Sequence, residues 1–140
     1  MSKRVKDKPA VKEPVIKRIE TIYNPSAVSS GNDGQIVYVP EKHKALYKKA
    51  AIYRLTMNGA YIEVSLRYLS RSKVQKYCIK AEWLLNSRIG MQTAEATAET
   101  YEEALKKMEK TILNILTTYR DKLQRIAPWV YEKEGQIDLF

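Results

Sequence analysis

The fold is decided by residues 100–126, TYEEALKKMEKTILNILTTYRDKLQRI, the one stretch long and periodic enough to predict a helix on its own. Its apolar side chains recur every three or four positions, which keeps them on one face of a helix. They are Tyr101, Leu105, Met108, Ile112, Ile115, Leu116, Tyr119, Leu123 and Ile126. Thr100 and Glu103 have the spacing of a capping box, and Pro128 stops the far end. Because the apolar stripe runs for roughly 40 Å, we expect it to pack on a β-sheet.

A β-hairpin is predicted upstream, where Asn58 and Gly59 lie between two runs of alternating apolar and polar residues. Asn-Gly is the preferred pair for a two-residue type I′ turn. That turn pairs apolar residues on one face: Met57 with Ala60, Leu55 with Ile62, and Tyr53 with Val64. On the other face it pairs Arg54 with Glu63, so one register satisfies both faces.

Residues 74–85 and 91–98 alternate in the same way and predict two more strands, the last with Ala94, Ala96 and Ala98 facing the helix. Residues 35–39 offer a further strand, and residues 41–49 a short helix. We therefore expect an α+β fold. It is a four-stranded antiparallel meander, which a fifth strand can extend, packed on one long C-terminal helix.

Three segments follow from this pattern. Residues 1–34 are expected to be a mobile, disordered basic tail, although the apolar patch at residues 15–22 can dock as a short helix or strand. Residues 35–128 form the α+β domain, and residues 129–140 form a C-terminal tail.

Composition excludes several classes of function. No run approaches the roughly 20 apolar residues of a membrane span and no signal peptide is visible, so we expect a cytoplasmic protein. The single cysteine, Cys78, and the single histidine, His43, exclude an internal disulfide and the usual zinc clusters. We find no pair of catalytic acids, no nucleophile with a base and no phosphate-binding loop. The sequence predicts a protein that is not an enzyme and uses no cofactor.

The positive charge is large and unevenly distributed. The net charge is +9, and residues 41–80 carry ten Lys and Arg against two Asp and Glu. Ten tyrosines and two tryptophans against one phenylalanine add a second bias. Basic residues combined with stacking side chains are typical of nucleic-acid-binding proteins.

The sheet face away from the helix is the predicted binding surface. The candidate nucleic-acid-binding residues on it are Arg54, Tyr61, Arg67, Lys76 and Lys80, next to a basic turn that adds Arg71 and Lys73. Lysine and arginine would hold phosphates while an exposed aromatic stacks a base, which suits a single strand better than a duplex. The alternative is an ordinary solvated sheet face.

The predicted body has two loose resemblances. The meander followed by a helix resembles a whirly or purine-rich-element-binding repeat, which implies single-strand binding on the sheet. The run from Lys80 through Ala94-Glu95-Ala96 to Tyr101 and Ala104 is similar to the second half of ribosome hibernation-factor domains, which implies ribosomal RNA. The long first helix of that family is missing. The two families share a polyanionic ligand.

The last five residues are Gln136, Ile137, Asp138, Leu139 and Phe140. They resemble the bacterial sliding-clamp-binding pentapeptide, whose pattern is Gln, an aliphatic residue, Ser or Asp, Leu and Phe. The resemblance implies that Gln136 orients the peptide, that Leu139 and Phe140 fill a hydrophobic cleft, and that Ile137 assists. Burying those two anchors supplies roughly 3 to 6 kcal/mol. Two alternatives are docking of the peptide on its own domain and recruitment of replication enzymes, as by the tails of single-strand-binding proteins.

The sequence thus predicts a non-enzymatic single-stranded nucleic-acid-binding accessory protein of bacterial or phage DNA replication or repair, tethered to the sliding clamp. One alternative is a clamp-binding regulator or inhibitor that does not bind nucleic acid. Another is an RNA- or ribosome-associated protein. The choice between DNA and RNA and the oligomeric state are left open.

Overall fold

A computed structural model describes residues 14, 16–19, 33–42, 49–86, 88 and 90–126 of the chain. Most of the expected N-terminal tail, the middle of the expected short helix, and the whole C-terminal tail with its pentapeptide lie outside these residues. Lys49, expected at the end of that helix, begins a strand instead.

The described residues form one six-stranded sheet in which spatial neighbours follow chain order. The strands are β1 (Lys17–Ile19), β2 (Gln35–Tyr38), β3 (Lys49–Met57), β4 (Ala60–Tyr68), β5 (Tyr77–Leu84) and β6 (Gln92–Ala98). Strands β2 to β6 form an antiparallel meander, and β1 adds to the β2 edge in parallel. The α+β class is confirmed, and the fifth strand is present. The apolar patch near residue 16 contributes strand β1, with Ile16 packed against the core.

The hairpin between β3 and β4 has the register that the sequence predicted. Asn58 and Gly59 both adopt positive φ, 44° and 84°, as a type I′ turn requires. The observed pairs are Met57 with Ala60, Leu55 with Ile62, Tyr53 with Val64, and Arg54 with Glu63. Because side chains alternate along a strand, this register places the core residues on one face and the charged residues on the other.

Two helices cover the apolar face, where a single long helix was predicted. Helix α1 spans Tyr101–Thr118 and α2 spans Arg120–Ile126, with Tyr119 between them at φ −107° and ψ 25°. The predicted cap is present, since Thr100 Oγ1 accepts a hydrogen bond from the Glu103 amide at 3.2 Å. A helix of 18 residues is about 27 Å long, close to the length of the strands beneath it. Leu123 of α2 is fully buried in the core. Its amide donates to the Tyr119 carbonyl at 2.9 Å, so the break is confined to one residue.

Helix α1 packs on strands β4, β5 and β6, and the buried core continues into Tyr53 and Leu55 of β3 and Ile36 of β2. The helix contributes Tyr101, Ala104, Met108, Ile112, Ile115 and Leu116. On β6, Ala98 is buried and Ala96 is half-buried, but Ala94 is exposed, although all three were expected to face the helix. Helix α1 therefore covers only the end of β6 nearest its own start.

The tyrosines are used mainly for packing. Of the seven described tyrosines, all but Tyr61 lie in the core or pack against it. The Tyr101 hydroxyl donates to the Val39 carbonyl at 2.7 Å, and the Tyr77 hydroxyl donates to Glu41 at 3.0 Å. Packing in the core therefore accounts for six of the seven tyrosines that the structure describes.

Candidate nucleic-acid interface

The sheet face turned away from α1, called the far face below, carries the charged side chains of the strands. Cross-strand pairing places them in rows that run from β3 to β6. They are Lys49, Arg54, Glu63, Arg67, Lys80, Glu82 and Glu95. Part of the face is closed to solvent near β2, because Val37 and Ile52 lie on it and are only 2% and 0% exposed. The accessible part is therefore the region of β4, β5 and β6.

Arg54 and Lys49 are both held by Glu63. The Arg54 guanidinium donates to one Glu63 carboxylate oxygen from Nη2 at 2.6 Å and from Nε at 3.1 Å. The Lys49 ammonium lies 3.5 Å from the other oxygen. Partial burial alone would raise the pKa of Glu63, but the hydrogen bond from Arg54 and the charges of Lys49 and Arg54 hold that pKa below its usual value. The ion pair was predicted, and its consequence is that Arg54 is already engaged by a carboxylate.

Four other predicted cations gather where β4 ends and β5 begins. Arg67 is the last far-face residue of β4, Arg71 and Lys73 lie in the connection, and Lys76 precedes β5. All four are exposed, and within the described part of the chain none has an ion-pair partner within 4.0 Å. This group is called the basic end below. Such a cluster of unpaired cations produces a local positive potential.

Tyr61 lies away from the basic end, whereas Lys80 borders it and lies close to Arg67. Lys80 is exposed near the middle of β5, where its cross-strand neighbours are Ser65 and the acidic Glu95. Tyr61 is half-buried at the opposite end of β4, about 20 Å from Arg67 at the usual rise of a strand. Among the residues the structure describes, Tyr61 is the one aromatic side chain on the far face of the sheet. Base stacking on the described part of this face therefore depends on the Tyr61 ring.

A shallow pocket lies at the centre of the accessible far face and was not anticipated from the sequence. It has a volume of about 120 Å³ and is lined by Lys49, Glu63, Ser65, Arg67, Lys80 and Glu82. Glu63 and Glu82 are directly opposite on neighbouring strands. The signal in the sequence was weak, because residues 69–76 separate β4 from β5 and do not fix the register between them.

Cys78 also lies on the far face, opposite Arg67 and Thr97. Burial raises the pKa of its thiol, and the charge of Glu95 raises it further. A thiol with a raised pKa is a poor nucleophile. This environment suits the structural role that its place in a strand indicates.

No protein-family model matches the chain, and neither a curated protein nor a solved structure matches it. In the ranges that the structure covers, no helix has the length and apolar character to cross a membrane. The same residues contain no cluster of three or more His, Cys, Asp or Glu side chains able to hold a metal ion. Function must therefore be inferred from the surface of the chain itself.

Proposed function

We propose that this protein is a non-enzymatic accessory factor of bacterial or phage DNA replication or repair. It holds single-stranded nucleic acid on the far face and the basic end, and its last five residues tether it to a sliding clamp. Tethering raises the effective concentration of the protein on DNA without requiring a tight contact at either site. Two surfaces of modest affinity are then sufficient.

The observation that carries the nucleic-acid part is the basic end. Arg67, Arg71, Lys73 and Lys76 are exposed and, unlike Arg54 and Lys49, pair with no carboxylate among the residues that the structure describes. Unpaired cations can each replace a counterion on a phosphate, which is the main source of affinity for nucleic acids. The sheet beside them favours an extended single strand over a duplex, because the described residues of the basic end, 67–76, include no helix that could enter a major groove.

The clamp part is supported by the sequence Gln136-Ile137-Asp138-Leu139-Phe140, which matches the clamp-binding pattern at every position. Two large apolar residues in a short acidic peptide suit a hydrophobic cleft on another protein. Their burial is sufficient for a contact in the micromolar range, where about 8 kcal/mol is needed in total.

A salt titration tests the nucleic-acid part. We expect affinity for a single-stranded oligonucleotide to fall steeply with salt, and the double variant Arg71→Gln/Lys73→Gln to reduce the log–log slope by about 1.4, or 0.7 per lost phosphate contact. The matched control is Lys106→Gln/Lys110→Gln, which removes the same charge from exposed positions of α1. Equal changes of the slope in the two double variants would show that affinity depends on the net charge and not on the basic end. An affinity that does not change with salt concentration would contradict the proposal.

A second candidate function is a clamp-binding regulator that does not bind nucleic acid. Two observations favour it. Glu63 already engages Arg54 and Lys49, and among the described residues Tyr61 is the one aromatic side chain on the far face. The absence of any mobility shift with single-stranded DNA at low salt would select this candidate. A clear preference for structured RNA would instead select the RNA- or ribosome-associated alternative.

A further inference from the structure

The far-face pocket combines a buried hydroxyl with side chains of both charges. Ser65 forms part of its wall and is only 7% exposed. The Ser65 hydroxyl donates a long hydrogen bond of 3.5 Å to the Lys80 carbonyl, which leaves its oxygen lone pairs available. Around it stand three cations, Lys49, Arg67 and Lys80, and two carboxylates.

The charges of the pocket are not fully paired with one another. Glu63 is engaged by Arg54 and Lys49, whereas Glu82, Arg67 and Lys80 have no ion-pair partner within 4.0 Å among the described residues. Glu82 lies directly opposite Glu63 on the neighbouring strand, a position that like charges do not favour. A free carboxylate retained at such a position is well placed to accept a hydrogen bond from a ligand.

The mixture of charges restricts the class of ligand. A bare phosphate would be attracted by Arg67 and Lys80 but repelled by Glu82 and Glu63 on the same wall. A ligand that fits both the basic and the acidic side of the pocket has an anionic group at one end and a hydrogen-bond donor at the other. A nucleotide whose base carries an exocyclic amine has both.

We propose that this pocket binds one nucleotide of the single strand, with its phosphate at Arg67 and Lys80 and the exocyclic amine of its base donating to Glu82. This inference rests on the proposed function. It adds a base preference to a surface that otherwise reads only phosphates. A volume of about 120 Å³ is suitable for a single pyrimidine ring or a phosphate inside the pocket, while the remainder of the nucleotide lies over the sheet.

Cytosine and thymine provide the sharpest comparison. Cytosine presents its N4 amine as a donor, and carboxylates commonly accept from it, whereas thymine presents an O4 acceptor at the same place. A carboxylate therefore attracts the cytosine edge and repels the thymine edge. Because both are pyrimidines of similar size, shape alone does not separate them.

The experiment measures the affinity of the full chain for oligo(dC) and oligo(dT) dodecamers by fluorescence anisotropy. A low salt concentration and a slightly alkaline pH keep cytosine unprotonated. We expect the wild-type protein to bind oligo(dC) about five-fold more tightly than oligo(dT), as one accessible hydrogen bond to a charged group allows. In Glu82→Gln the ratio should fall to about one, because an amide both accepts and donates and so suits either base. The matched control is Glu95→Gln, which makes the same charge change at an exposed β6 residue outside the pocket lining.

The outcomes separate this inference from the function on which it rests. Equal binding of both oligonucleotides by the wild-type protein overturns the nucleotide pocket and leaves the nucleic-acid function intact. A ratio that changes as much in Glu95→Gln as in Glu82→Gln also overturns it. If the wild-type protein binds neither oligonucleotide, the nucleic-acid function itself fails and the pocket assignment fails with it.

Discussion

Arg54 and Glu63 face each other across the β3–β4 ladder, with the guanidinium Nη2 2.6 Å from a carboxylate oxygen. The pair was predicted from the hairpin register, but Lys49 joins it from the start of β3 and makes it a three-residue network. Both side chains of the central pair are more than two-thirds shielded from solvent. The network therefore stabilises the sheet at the expense of two cations that would otherwise be free to contact phosphates.

We expect Glu63→Gln to destabilise the protein by about 1 kcal/mol at neutral pH, because it removes a partly buried, charge-assisted contact. The pKa of Glu63 is lowered in the folded state, so its stabilising effect is present above the ordinary glutamate pKa and is lost as the pH falls through the lowered value. The difference in the free energy of unfolding between wild type and variant should therefore shrink below about pH 4. Urea titrations at neutral and acidic pH measure it.

Glu95→Gln is the control, since Glu95 is exposed and has no ion pair in the described part of the chain. Its free energy of unfolding should stay within about 0.5 kcal/mol of wild type at both pH values. If the difference in the free energy of unfolding between wild type and Glu63→Gln grew as the pH fell, it would contradict a lowered pKa of Glu63 in the folded state.

We expect Leu123→Ala to cost about 2 to 4 kcal/mol of unfolding free energy, because Leu123 of α2 lies in the core with no exposed surface. Leu113→Ala, at a residue of α1 that is 39% exposed, should cost much less. Denaturant unfolding of both variants makes the comparison. Similar small losses would mean that the second helix does not pack on the core.

Much of the sheet could be predicted because its central turn is short. Asn58 and Gly59 fix the register of β3 against β4, and that register determines which face each side chain occupies. The break between α1 and α2 was missed because no proline or glycine marks it. The apolar period does not reveal it either, because Leu116 and Leu123 are buried on both sides of the break at the spacing of one continuous helix.

The candidate site was only partly predictable, because no short turn fixes the register between β4 and β5. The basic residues could be assigned to one face from alternation alone, and Arg54, Tyr61, Arg67 and Lys80 do share that face. The pocket also required the β4–β5 register, which brings Glu82 opposite Glu63 and Lys80 opposite Ser65. A connection as long as residues 69–76 leaves that register to tertiary packing.

We expect Tyr61→Leu to weaken binding of single-stranded DNA about five-fold or more, because one stacked base contributes about 1 to 3 kcal/mol. Tyr61→Phe keeps the ring and should bind as the wild type does. Fluorescence anisotropy at fixed salt measures both affinities, and thermal unfolding checks that both variants are folded. If the Tyr61→Leu and Tyr61→Phe variants bind single-stranded DNA equally well, the Tyr61 ring does not stack a base and binding depends on the cations alone.

We expect the double variant Leu139→Ala/Phe140→Ala to abolish binding to a bacterial sliding clamp, because it removes both apolar anchors of the peptide. Binding of single-stranded DNA and the free energy of unfolding should not change, because these two residues belong to neither the far face nor the basic end. A pull-down with purified clamp compares wild type, the double variant and Glu132→Gln, a control with an unaltered pentapeptide. Loss of folding stability in the double variant would instead indicate that these side chains pack on their own domain. Retained clamp binding would show that another surface makes the contact.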